Sequence, residues 1–164
     1  MSAGNVTKIG TGTFSLTGVN THPGSVIRDA GTVQANSTAL ARTGTISLDN
    51  TAGLGSTLRA FTSGFNTNAT VALTLNAFVD PNGLDSTFKG PLTGTGSLNK
   101  IGAGTLYLTY GGSFSGGTTV SAGTLSVSSS LGTDPMGTGA VNLTGTGLLT
   151  LAGQHKPVSQ VIPI

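Results

Sequence analysis

Residues able to do chemistry are few in this 164-residue chain, and their spacing keeps them apart. There is no cysteine and no glutamate, and the acidic side chains are Asp29, Asp49, Asp80, Asp85 and Asp134. Nucleophilic catalysis needs a hydroxyl beside a histidine and an acid. His22 sits in the turn Thr21-His22-Pro23-Gly24, and His155 precedes Lys156-Pro157; neither has an acid nearby in sequence. Cleavage of polysaccharides needs paired carboxylates, or calcium beside a base. Asp29 and Asp49 fall about one coil apart in the repeat described below, a spacing that chance placement also explains. Asp80, Asn82 and Asp85 place oxygen ligands two and five residues apart around Gly83, which resembles half of a calcium loop and is the one weak metal candidate. The terminal glutamate of a full calcium loop is missing, and Asp80-Pro81-Asn82-Gly83 is already explained as a tight turn. The expectation is no catalytic residue, no cofactor and no enzyme activity.

Charge and composition narrow the partners. Only 7% of residues are charged, and the net charge is +2. Lys8, Arg28, Arg42, Arg59, Lys89, Lys100 and Lys156 read as scattered, with no basic cluster interleaved with aromatics, so nucleic acid is not an expected partner. No apolar run reaches the roughly 20 residues of a membrane-spanning helix. The N-terminus, Met1-Ser-Ala-Gly-Asn-Val, does not read as a signal peptide, and the chain is expected to be an excised fragment. Glycine (27) and threonine (28) make up a third of the chain, and no 3.6-residue apolar stripe is sustained. Aliphatic residues alternate with serine and threonine, the pattern of half-buried strands, so the fold class is all-β.

The strands repeat. Residues 6–35 align without a gap onto 98–127, at an offset of 92, and 11 of the 30 positions are identical: Lys8/Lys100, Ile9/Ile101, Gly10/Gly102, Gly12/Gly104, Thr13/Thr105, Leu16/Leu108, Thr17/Thr109, Gly24/Gly116, Ala30/Ala122, Gly31/Gly123 and Thr32/Thr124. A smaller unit recurs within each copy: glycine, threonine or alanine, then an apolar, any, aliphatic triplet. Examples are Gly44-Thr-Ile-Ser-Leu48, Gly104-Thr-Leu-Tyr-Leu108 and Gly139-Ala-Val-Asn-Leu143. A turn glycine followed by a short alternating strand, repeated along a chain, predicts a stacked parallel β-solenoid of about eight short coils, each of about 20 residues. The whole of 1–164 reads as one such domain, with diverged copies near 6–48 and 92–151 and an apolar tail at 154–164. Leu16, Leu48, Leu75, Leu108, Val127, Leu143 and Leu151 are predicted to point inward. The alternation from Thr70 to Phe78 reads as one strand.

The segment from Leu98 to Thr109, then Phe114 to Val127, closely resembles the autotransporter passenger-associated repeat, and Val6 to Val33 is similar to a more diverged copy. The resemblance implies a right-handed parallel β-helix in a bacterial cell-surface or secreted protein. It implies scaffold and no catalytic residues. The leading expectation is a structural rod: stalk, spacer or self-associating fibre subunit. The alternative is an adhesin-like module contacting glycans or host surfaces through exposed Tyr107, Tyr110, Phe61 or Phe65, and a polysaccharide-active enzyme comes third. The tail carries two prolines, which suit an edge strand or a lid. Val158, Val161, Ile162 and Ile164 are expected to pack on an open end, the chain's own or a neighbour's, and to favour end-to-end association.

Overall fold

The computed structural model describes residues 4–19, 25–40, 44–49, 53, 55–129, 134–153 and 161–163. Short strands separated by turn glycines wind around a three-sided prism, and every strand pairing is parallel. The first face carries β1 (Val6–Lys8), β3 (Val26–Arg28), β5 (Thr45–Leu48), β8 (Thr70–Leu73) and β11 (Leu92–Gly94). The second and widest carries β2 (Thr13–Leu16), β4 (Gly31–Ala35), β6 (Ser56–Ala60), β9 (Asn76–Asp80), β12 (Ser97–Lys100), β14 (Thr118–Val120), β16 (Val141–Leu143) and β18 (Val161–Pro163). The third carries β7 (Phe65–Thr67), β10 (Ser86–Phe88), β13 (Thr105–Leu108), β15 (Thr124–Ser129) and β17 (Leu148–Gly153).

The eighteen strands described amount to about six turns, fewer than the eight coils expected from the sequence. Stacked partners lie 19 to 25 residues apart, so many turns are longer than the assumed 20. The end turns are also incomplete among the described residues: the first two have no strand on the third face, and the last have none on the first. Backbone ladders nonetheless continue the first face beyond β11. Ser113 N–H donates to Leu92 O at 2.8 Å, and Thr138 N–H donates to Phe114 O at 3.0 Å.

Period-two alternation aims one side chain in two at the axis. Down the second face the column Val33–Leu58–Val79–Lys100–Val120 stacks register partner on register partner, all of it buried. Leu48, Leu108 and Val127 are fully buried as the pattern requires, and Leu16 and Leu143 pack half-buried against the core. Two of the seven predicted inward residues are corrected. Leu75 is 48% exposed, because the run from Thr70 is not one strand: β8 ends at Leu73, Thr74 and Leu75 form the bend to the next face, and alternation restarts at Ala77 in β9. Leu151 is 42% exposed; it stacks on Val127 in the last rung of the third face, with no further strand over it among the described residues.

A strand edge that begins partway along the rod needs its own partner. Among the described residues the third face begins at β7, and the turn 36–40 lies beneath it. The Ser37 hydroxyl accepts a hydrogen bond from Asn66 N–H at 2.8 Å and donates to Gly64 O at 3.2 Å, standing in for a missing ladder strand. Asn36 fixes that turn, its Oδ1 accepting from Ala39 N–H at 2.8 Å.

Candidate functional site

The repeat copies fold into the same object at two different corners. In residues 6–35, β1 and β3 lie on the first face and β2 and β4 on the second. In residues 98–127, β12 and β14 lie on the second face and β13 and β15 on the third. Each copy is thus two stacked L-shaped corners, and the offset of 92 moves the second copy round by one face.

Four of the identical positions converge inside that corner. Lys100 Nζ donates to Ile101 O at 3.1 Å, to Gly102 O at 2.7 Å and, one coil further on, to Ala122 O at 2.9 Å. Lys8 repeats this set: its Nζ donates to Ile9 O at 2.8 Å, to Gly10 O and to Ala30 O at 3.3 Å. An ammonium has three N–H donors and no acceptor, so three carbonyls use its bonding capacity in full. The glycines make room. Gly102 (φ +67°) and Gly123 (φ +66°) are left-handed, as are Gly10 (+75°) and Gly31 (+71°). A Cβ on Gly123 would lie 2.4 Å from Gly104 O, and one on Gly31 would lie 2.5 Å from Gly10 O. The identical lysines, isoleucines, alanines and glycines are therefore parts of one corner lock.

Lys100 is 0% exposed and occupies an otherwise apolar column. Burial pushes its amine down from the usual 10.5 to about 8, and the nearby Asp80 carboxylate works in the opposite direction. Asp80 is itself tied into the coil before. Arg59 Nε donates to Asp80 Oδ2 at 2.9 Å, and Asp80 Oδ1 accepts from Asn82 N–H at 2.8 Å. Asp80 Oδ1 also lies against the Gly102 α-carbon, where a Cβ would approach to 2.1 Å. Arg59, Asp80, Lys100 and Ala122 thus form a polar seam down four consecutive coils at the corner between the second and third faces. The lysines read from the sequence as scattered charges; the signal that marks them is their identity between copies, together with the alanine 22 residues on.

The other sequence-stated candidates go elsewhere. The oxygens of Asp80 face Arg59 and Asn82 N–H, Asn82 (φ +60°) reaches back with its Nδ2 to Ala60 O at 3.3 Å, and Asp85 Oδ1 accepts from Thr105 N–H at 3.3 Å. Among the described residues no three histidine, cysteine, aspartate or glutamate side chains group as a metal site. Asp29 and Asp49 each follow the register partners Arg28 and Leu48, so they stack at successive corners. His22, His155, Val158 and Ile164 lie outside the described residues. The backbone of Val161 and Ile162 forms β18, paired with β16. Tyr107, Tyr110 and Phe61 are exposed. Phe65 is corrected: it is 1% exposed and meets Phe88 edge to face, centroids 6.4 Å apart. A shallow groove of about 340 Å³, unforeseen from the sequence, crosses the second face between Thr32, Thr57 and Phe78.

Both copies of the corner, residues 6–35 and 98–127, match the family of the passenger-associated-transport-repeat. The chain carries autotransporter passenger repeats. A curated relative, the adhesin BmaC autotransporter of Brucella suis biovar 1 (strain 1330), is 32% identical over 142 residues, a match covering 76% of this chain. The chain spans about 4% of the length of that relative. No solved structure matches. The lysine lock sits in the passenger repeat itself, whereas the groove on the second face takes Thr11, Gly31, Thr32 and Ile101 from the repeat copies and Gly55, Thr57 and Phe78 from the coils between them.

Proposed function

We propose that this chain is a non-catalytic structural segment, a right-handed β-solenoid stalk or spacer of an extracellular or cell-surface bacterial protein. The observation that carries the reading is the corner lock inside each passenger repeat. In it the lysine ammonium closes its own turn and reaches one carbonyl of the next coil. The outer columns, such as Thr13–Thr32–Thr57 on the second face, present small hydroxyls that suit a neutral rod surface. Strand ladders along the axis make such a rod resistant to proteases and to pulling. Limited proteolysis tests this: a stalk survives as one fragment at protease levels that degrade an ordinary loop-rich domain, and early cutting between coils contradicts it.

A second reading is an adhesin-like module, favoured by the groove beside Phe78 and by exposed Tyr107 and Tyr110. Half-exposed aromatics next to threonine hydroxyls suit the apolar face and hydroxyl edges of a sugar ring. The naming of the Brucella relative as an adhesin supports it. Glycan-array binding that falls with Phe78→Ser or Tyr107→Ser favours the adhesin; no binding above background favours the stalk. Self-association through Val158, Val161, Ile162 and Ile164 is part of the first reading. It is tested by comparing the size of the whole chain with one ending at Gln154: equal, monomeric species remove it.

A further inference from the structure

We propose that the repeat corner is a built binding site for a primary ammonium group, which the chain fills with its own lysine, two of its N–H donors closing the lysine's own turn and the third tying that turn to the next coil. The argument starts from position. Lys100 stands in the column Val33–Leu58–Val79–Lys100–Val120, where every other member is aliphatic. Packing alone would favour valine or leucine there, because an ammonium taken out of water is expensive unless its hydrogen bonds are met.

They are met by main-chain oxygens. Ile101 O and Gly102 O come from the turn that leaves β12, and Ala122 O comes from the turn that leaves β14, one coil on. Left-handed glycines aim these carbonyls inward instead of along a ladder, so they need a donor from outside the strands. The lysine supplies it. Lys8 makes the same three contacts on a different pair of faces, at an end of the rod where its surroundings are more exposed. Two copies that differ in face, depth and neighbours but keep the donor and all three acceptors define a site by its chemistry. Among the described titratable groups, Asp80 of β9, itself paired with Arg59 of β6, is the one that acts on Lys100; Tyr107 of β13 is exposed on the outer face, and β14 and β15 carry none.

The test is chemical rescue. Lys100→Ala removes three carbons and the ammonium, which n-propylammonium replaces. Lys100→Met keeps much of the bulk and removes the donors. Hydrogen exchange reads the corner through the Ser121 and Thr124 amides, which donate to Lys100 O and Gly104 O. Both variants are expected to lose at least about tenfold of the protection there, the equivalent of about 1.4 kcal/mol. Propylammonium at tens of millimolar is expected to restore part of it in Lys100→Ala, while 1-propanol and tetramethylammonium do not. Wild-type protection in Lys100→Met, or equal rescue by propanol, overturns the proposal, because bulk would then be enough. If Lys100→Ala does not fold, Lys8→Ala and Lys8→Met are read the same way at the Asp29 and Thr32 amides, which donate to Lys8 O and Gly12 O. There, too, rescue by propylammonium alone supports the site, and no loss in Lys8→Met overturns it.

Discussion

Gly123→Ala isolates what the corner demands of the backbone. Gly123 has φ +66°, where an L-residue pays about 1–2 kcal/mol. Lower chain entropy in the unfolded state returns about 0.4–1 kcal/mol, leaving a net cost near 1. Crowding comes on top. The new Cβ would lie 2.4 Å from Gly104 O, 2.9 Å from Gly102 O and 2.9 Å from Lys100 Nζ. The first two are main-chain atoms in a stacked coil, so relief means moving a strand, at about 1–3 kcal/mol. Displacing the ammonium from one carbonyl adds about 1 kcal/mol. The total is about 3–5 kcal/mol. Gly83→Ala is the control: φ is +76°, but nothing lies within 4 Å of the added methyl, so about 1 kcal/mol is expected. Urea unfolding of both variants, followed by the fluorescence of Tyr107 and Tyr110, gives the two numbers by linear extrapolation with unchanged slope. Equal costs within about 0.5 kcal/mol would show that the coils can separate at this corner without penalty, and the corner lock would be refuted.

Other expected outcomes are as follows. Leu108→Asp places an unpaired charge at a 0% exposed position and should unfold the surrounding turns; a native circular dichroism spectrum and melting temperature would contradict the inward register. Lys100 titrates near 8 in the folded chain against 10.5 unfolded, so between those values the unfolded state holds the extra proton and stability should rise with pH. The wild-type curve minus that of Lys100→Met shows this, and a fall over the same window would mean that the carbonyl bonds outweigh burial. Ser37→Ala leaves Asn66 N–H without its acceptor and should cost about 1 kcal/mol, with faster exchange confined to the edge of β7; unchanged exchange would remove the edge-cap role.

Much of the fold was legible because alternation and turn glycines are local signals. The pairing of residues 6–35 with 98–127, read from identities alone, coincides with the two passenger repeats. Leu75 misled because alternation cannot see a corner: Val71, Leu73 and Leu75 continue one period while the chain turns between faces after Leu73. Phe65 misled because a lone aromatic after a Ser-Gly turn carries no sign of the Phe88 ring stacked above it. Lys100 was hidden for a different reason. Lysine is a solvent residue by composition, and its partners are main-chain carbonyls, which have no sequence signature of their own. The clue was relational: lysine, glycine and alanine held at the same spacing twice. Arg59 and Asp80 carry a similar clue, a basic and an acidic residue one coil apart, but a coil length between 19 and 25 residues blurs it.

The central claim is that the chain winds, so that each repeat copy stacks on its own coils and not on the other copy. The sequence holds no cysteine, which allows a direct measurement by paired cysteine substitution. Asn99 and Thr119 are register partners on the outer side of the second face, as are Thr32 and Thr57. Neighbouring strands about 4.8 Å apart are within disulfide range. Thr7 and Asn99 hold equivalent places in the two copies but lie on different faces. Under mild oxidation, the 99/119 and 32/57 pairs should close to intramolecular disulfides, and the 7/99 pair should keep both thiols free. Closure of the 7/99 pair, with the other two open, would contradict the solenoid.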